Sequence, residues 1–182
     1  MSTRSGFQAV KFFVGLIYRE EAQAGAACAG MSAVLGEAGL RSPAVPFTAT
    51  DYYQDEMGAP LLRRFVAFRE WQPPELLPEV KVAAMGVEAR LAAGSRRTVN
   101  IDPGYLSAAN VVIATAKNHY HRVPLRDGVY AHLEYVLKDG RLQFLPWTYP
   151  DFKSEPYLDF FNRLREQFRT EHKSQLPHNR KT

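Results

Sequence analysis

Residues 7–18, FQAVKFFVGLIY, are dense in Phe, Val, Ile and Leu and hold Lys11 as their single charge. A stretch of this kind reads as a strand buried on both faces. It asks for a proper core, and a chain of 182 residues is long enough for one domain to supply it. A hydrophobic fraction of 46% with 12% aromatics excludes a wholly disordered chain.

The spacing of apolar residues predicts the elements after that strand. Ala27, Met31, Val34, Leu35 and Ala38 recur at three- and four-residue steps, which gives an Ala-rich helix over 20–38 with Gly39 as its stop. Pro43 and Pro46 open a second extended piece at 44–53, and a third strand is expected over 61–71. Pro73-Pro74 introduce a helix at 74–93, with Leu76, Val80, Ala84, Val87 and Leu91 on one face. Residues 96–101, RRTVNI, make a fourth strand. The order is β-α-β-β-α-β, that of the split βαβ or ferredoxin-like unit.

The second half is β-rich. A buried strand is expected over 110–116, NVVIATA. Asp127-Gly128 and Asp139-Gly140 are hairpin signals that divide 121–145 into a meander of three short strands. In its middle strand Val129, Ala131, Leu133, Tyr135 and Leu137 alternate with Tyr130, His132 and Glu134, which puts the second set on a wet face. Pro156 begins a last helix whose inward stripe is Tyr157, Phe161, Leu164 and Phe168. The expected class is therefore α+β: a ferredoxin-like βαββαβ core extended by a C-terminal β-meander and a final helix. Residues 1–172 read as one domain and 173–182 as a basic flexible tail.

Charge adds less than its total suggests. The chain carries 23 Lys plus Arg against 19 Asp plus Glu, a formal net charge of +4. Residues 163–182 alone hold six bases against two acids, so 1–162 are neutral, with 17 of each sign. The basic pI near 9.2 describes one segment and not a basic domain. Cys28 is the only cysteine, which excludes an intrachain disulfide and any zinc site needing two cysteines of one chain. It sits in the small-residue run Gly25 to Gly30 and reads as a buried thiol. The run Phe12 to Tyr18 is too short to cross a membrane, and Arg19-Glu20-Glu21 stand where a secretory cleavage region would begin. A cytoplasmic protein is expected.

Several function classes are absent from the sequence. There is no Gly-Lys pair for a Walker A loop, no G-x-G-x-x-G after a strand, and no H-E-x-x-H, G-x-S-x-G or EF-hand loop. What remains are polar clusters at the ends of predicted strands: Asp51 to Glu56, Asn100 with Asp102, Lys117 to Arg122, and Asp151. Residues 51–88 hold seven acids against four bases, whereas 90–126 hold six bases against Asp102 alone. Folded together, these clusters would form a cleft suited to a phosphorylated ligand. Lys117 and Arg122 would meet its oxygens, and Asp51 or Glu56 would carry a divalent metal such as Mg²⁺ or act as a base. His121 would serve as acid or base. Asn100, Asp102 and Asp151 would orient the ligand or partner side chains.

Each cluster also has a plainer reading. Asp102 before Pro103-Gly104 suits a turn, Asp51 and Glu56 suit backbone caps, and Lys117 and Arg122 suit surface ion pairs. His119 and His121 share a face if extended, without a third metal ligand in view. Trp147 and Tyr149 suit packing, and Arg63, Arg64, Arg96 and Arg97 suit solvation. A different class of function is a non-catalytic RNA- or protein-binding module, with the basic C-terminal helix supplying charge and an exposed sheet face supplying aromatic contacts.

The same clusters carry a resemblance. Thr50-Asp51-Tyr52-Tyr53, Glu56-Met57-Gly58, Asn100 to Leu106, Ala114-Thr115-Ala116-Lys117, His121-Arg122 and Trp147 to Asp151 resemble the motifs of the bacterial and archaeal domain-of-unknown-function family 4416, over about residues 8–170. The resemblance implies a single-domain cytoplasmic protein of unassigned activity. Some members of that family carry the label "GTP-binding protein", although these motifs contain neither a P-loop nor an N-K-x-D element. The Ala-rich first helix departs from the family pattern.

Overall fold

A computed structural model of the chain describes residues 6–175. Its elements in order are β1 (Val10–Tyr18), α1 (Glu21–Leu35), β2 (Ala38–Arg41), β3 (Val45–Pro46), α2 (Gln54–Met57), β4 (Leu62–Gln72), α3 (Leu77–Leu91), β5 (Val99–Leu106), β6 (Asn110–Thr115), β7 (Val123–Pro124), β8 (Tyr130–Lys138), β9 (Arg141–Phe144) and α4 (Glu155–Gln175). The class is α+β, with an antiparallel sheet and four helices among the described residues.

All nine strands join one sheet in the order β2-β4-β1-β5-β6-β8-β7, with β3 on β4 and β9 on β8. Every pairing is antiparallel. The strand read from residues 7–18 lies between β4 and β5, and all nine of its residues are buried. Its alternation feeds two cores. Phe12, Val14, Leu16 and Tyr18 pack with α1 and α3 residues such as Met31, Leu35, Val80, Ala84 and Val87. Phe13 packs on the opposite face with Phe65 and with Phe160, Phe161, Leu164 and Phe168 of α4. A third, small cluster of Ile17, Phe47, Met57 and Leu61 closes one end.

Several expectations need correction. The first helix ends at Leu35, where Gly36 takes φ 85°, and residues 38–41 form a strand in place of the helix end. The second extended piece shrinks to Val45–Pro46, and Gln54–Met57 is a short helix. The fourth strand starts later and runs on through Asp102-Pro103-Gly104 to Leu106, so Asp102 is mid-strand and orients no turn. Pro103 lacks an N–H, and pairing with β6 begins only at Gly104. The last helix continues to Gln175, so 173–175 belong to it, and the rest of the expected tail, 176–182, lies outside the described residues.

The wet face of the meander is also overturned. His132 and Glu134 are both fully buried. Val111 pairs with Tyr135 but Val112 pairs with Leu133, so the register slips at Glu134. A bulge of this kind breaks strict alternation. Tyr135 therefore turns into the same core as Phe152 and Phe161. The hairpin signals hold: Asp139 and Gly140 both take positive φ (49° and 74°) in a two-residue loop, as do Asp127 and Gly128 (57° and 72°) ahead of β8.

Candidate functional site

A cavity of about 510 Å³ opens beside β5. Its walls come from the β3–α2 loop, α3, the loop after β6 and the segment before α4. Five cations (Arg63, Lys81, Arg97, Lys117, Arg122) and three carboxylates (Glu88, Asp102, Asp151) line it, a formal 5 − 3 = +2.

One wall is a closed hydrogen-bond network built on β5. Asn100 and Asp102 are two apart on the strand and share a face. Asn100 Nδ2 donates to Asp102 Oδ2 at 2.8 Å and its Oδ1 accepts from Arg97 Nη1 at 3.1 Å. Lys81 Nζ, brought in by α3, donates to the Ile101 carbonyl at 2.8 Å and lies 3.4 Å from Asp102 Oδ1. Arg97 grips Glu56 with Nη2–Oε2 at 2.6 Å and Nε–Oε1 at 3.1 Å. Hydrogen bonding from Arg97 holds the Glu56 pKa low. Glu88 accepts the Ile101 N–H at 2.6 Å, and burial pushes its pKa up.

Arg63, 4% exposed, also lines the cavity. Its Nη1 meets Asp151 Oδ2 at 2.7 Å, and its guanidinium packs over the rings of Phe47, Phe65 and Phe152 at 5.0–5.6 Å. Burial alone would lower its pKa, but Asp151 and then Asp102 outweigh that and raise it. Its Nε is buried without a hydrogen-bond partner among the described residues.

The opposite wall is cationic. Lys117 Nζ stands 3.6 Å from the centre of the Tyr52 ring. Arg122 donates from Nη1 to the Lys117 carbonyl at 2.7 Å, from Nη2 to Tyr149 Oη at 2.7 Å and from Nε to His132 Nδ1 at 3.2 Å. Burial raises the Tyr149 pKa, so its hydroxyl stays neutral. Neither Lys117 nor Arg122 makes an ion pair with a carboxylate among the described residues. The surface ion pairs that their positions suggest do not form there.

Of the eight residues expected at the site, Asn100, Asp102, Lys117, Arg122 and Asp151 line this one cavity, and Asp51, Glu56 and His121 do not. Asp51 is exposed and accepts from Gln54 Nε2 at 2.6 Å. Glu56 stands behind Arg97 with both oxygens engaged. His121 stacks on Trp147 at 5.0 Å, with Nε2 3.1 Å from His132 Nδ1 and Nδ1 2.9 Å from His119 Nδ1. Partial burial, then His132, His119 and Arg122, lower its pKa. Among the described residues no group of three or more His, Cys, Asp or Glu side chains is arranged to hold a metal ion.

Arg63, Lys81, Glu88 and Arg97 are not legible in the sequence as site residues, and Arg63 and Arg97 are not solvated as expected. Two signals point to three of them, Arg63, Lys81 and Glu88. Arg63 shares its strand face with Phe65 and Ala67, both core residues. Lys81 and Glu88 fall on the inward stripe of α3 with Leu77 and Ala84. A charge on an apolar stripe is expected to be paired or functional.

The order and spacing of these clusters now meet an independent comparison. A family model described as Domain of unknown function (DUF4416) matches residues 8–168. The chain belongs to this family. The match takes in both cores and every wall of the cavity, from Phe47 to Asp151. No curated protein and no solved structure matches the DUF4416 chain.

Proposed function

We propose that the cavity binds a phosphorylated or nucleotide-like small molecule, with Lys117 and Arg122 on its phosphate oxygens. The observation that carries this reading is the pair of cavity-lining cations without carboxylate partners among the described residues. Carboxylates neutralise the opposite wall, so the uncompensated charge is local to the Lys117 and Arg122 side. Arginine presents five N–H donors, and three of those on Arg122 are used within the protein. One N–H on each terminal nitrogen is left, a fork suited to two oxygens of one anion. Tyr52, Tyr53 and Tyr149 give the rest of the ligand an aromatic surface.

Metal-assisted catalysis is the less supported half of this reading, because Glu56 is committed to Arg97 and His121 to its neighbouring rings. The RNA- or protein-binding alternative loses its open sheet face to α4. Its basic residues Arg163, Arg165 and Arg169 each meet a carboxylate of the same helix.

A thermal-shift screen of nucleotides and sugar phosphates, with and without Mg²⁺ or Mn²⁺, tests the proposal. Phosphorylated compounds should stabilise the wild type and lose that effect in Lys117→Ala and Arg122→Ala. Stabilisation by none of them, or equal stabilisation of both variants, removes it.

The reading takes residues 1–172 as one cytoplasmic domain on a ferredoxin-like core. Its support is the strand order β2-β4-β1-β5, with α1 and α3 packed together on one face. Among the described residues no helix is long and apolar enough to cross a membrane. Limited proteolysis that cut between β5 and β6 before elsewhere would contradict a single domain, and cell fractionation tests the location.

A further inference from the structure

We propose that the buried pair Glu134 and His132 is a positioning relay that holds Arg122 in its anion-binding pose and lets go when His132 takes up a proton. The inference rests on the reading of the Lys117 and Arg122 side as the anion site. Both relay residues are 0% exposed, with His132 Nε2 3.0 Å from Glu134 Oε1. No sequence motif marks them.

The hydrogen bonds fix the proton positions. Arg122 Nε–H is always a donor, so the His132 Nδ1 that it meets at 3.2 Å must present a lone pair. The ring proton then sits on Nε2, 3.0 Å from Glu134 Oε1, a charge contact between two buried atoms that make no aligned hydrogen bond among the described residues. The Tyr149 N–H donates to the other oxygen, Oε2, at 3.2 Å; burial pushes the Glu134 pKa up, while His132 and this N–H pull it down. The imidazole is thereby held in one tautomer and stacked on the Tyr149 ring at 4.8 Å. Arg122 gains a rigid acceptor that no solvent molecule has to supply.

A second partner makes the device two-state. His121 Nε2 lies 3.1 Å from the same Nδ1. While His132 Nδ1 is a lone pair, His121 Nε2–H donates to it. A proton added at Nδ1 makes that nitrogen a donor, which Arg122 Nε cannot accept. His121 Nε2 accepts it once the His121 ring proton moves to its Nδ1, 2.9 Å from His119 Nδ1. The guanidinium then loses one of its three anchors and meets a new positive charge. The charged and titratable groups around the ring are Glu134 on its own strand, His121 and Arg122 from the β6–β7 loop, and Tyr149 ahead of α4. Arg63 of β4 acts on Glu134. Ile113, opposite in register on β6, is apolar.

Sulfate is the probe, since it stays a dianion between pH 5 and 8 and its own charge drops out. Calorimetric titration of the full chain should show affinity falling about tenfold from pH 8 to pH 5, the scale of one charged hydrogen bond. His132→Asn places an amide oxygen near the Nδ1 position and does not titrate there, so the fall in affinity toward pH 5 should be lost even though His121 remains. A wild-type affinity that is flat or rises toward pH 5, or a His132→Asn slope equal to the wild type's, overturns the relay. Because a core variant can fail to fold, imidazole ¹⁵N spectra of the wild type without any anion give a separate answer. A neutral Nε2–H tautomer at pH 8 supports the relay; an Nδ1–H tautomer or a cation overturns it whether or not sulfate binds. A confirmed tautomer with no binding of sulfate or any phosphorylated compound at pH 8 locates the failure in the reading of the site, and it overturns the relay's role in anion binding with it.

Discussion

Arg63 Nη1 lies 2.7 Å from Asp151 Oδ2, an ion pair across two side chains only 4% and 12% exposed. It joins β4 to the turn that leads into α4. Two charges out of water tolerate joint replacement better than the loss of one. Asp151→Ala should cost about 3–5 kcal/mol in urea unfolding, because it strands a buried guanidinium among Phe47, Phe65 and Phe152. Arg63→Met with Asp151→Ala should recover most of that loss. A double variant as unstable as Asp151→Ala would show that the pair itself stabilises the fold.

The pair also shows how far the sequence carries. The strand at β1, the helices at α1, α3 and α4 and both Asp-Gly turns follow from periodicity and turn chemistry. Lys117, Arg122, Asp102 and Asp151 are legible as polar residues between apolar runs, but their meeting at one cavity depends on the sheet order. Arg63 and Arg64 are adjacent and chemically identical. Strand alternation sends one into the aromatic core and the other to Glu21 at 2.8 Å, and only the covering helix decides which side is dry. Tyr135 escapes a sequence reading because a bulge is invisible to a strict period of two, and His132 and Glu134 because Thr148 and Tyr149, remote in the chain, cover their face.

Tyr52 is exposed, yet its ring lies under the Lys117 ammonium at 3.6 Å. An exposed cation–π contact is worth about 0.5–1 kcal/mol. Tyr52→Ala should therefore lower stability by no more than that amount, and by releasing the Lys117 ammonium and removing an aromatic wall it should weaken binding of a phosphorylated ligand by roughly two- to fivefold. Calorimetry beside a melting curve separates the two effects, and a lowered melting temperature with unchanged affinity would refute the assignment.

Glu56 and Glu88 flank Arg97 and should respond to pH in opposite directions. Hydrogen bonding from Arg97 lowers the Glu56 pKa, so its contribution to stability is full above its ordinary 4.5 and fades as pH falls through the lowered value. Burial raises the Glu88 pKa against Lys81 and Arg97, so stability falls as pH rises from 4.5 through the raised value. Unfolding titrations at pH 4 and pH 7 should show Glu56→Gln costing more at pH 7, by about 0.5–1 kcal/mol for a pair that is part-exposed. Glu88→Gln should cost less at pH 7 than at pH 4. A shared trend would contradict the two assignments.

Gly104 stands where β5 passes between β1 and β6. A Cβ there would lie 2.5 Å from the Val112 carbonyl oxygen and 2.7 Å from Phe13 Cζ, and the first is backbone that cannot step aside. Gly104→Ala should destabilise by about 1–3 kcal/mol through forced separation of the strands. Gly25 in α1 meets nothing within 4 Å, so Gly25→Ala should stabilise by about 0.5–1 kcal/mol. Thermal denaturation of the two variants, side by side, checks both signs.

The helix that covers Phe13, Phe65 and Tyr135 is the last described element to leave the ribosome. Until about Phe168 has emerged, the nascent sheet has α1 and α3 on one side and bare aromatic rings on the other. A half-clad sheet of this kind is what holding chaperones bind and what sticks to its neighbours on a polysome. A chain cut short before α4 would therefore keep one packed face and leave the other as a bare aromatic surface.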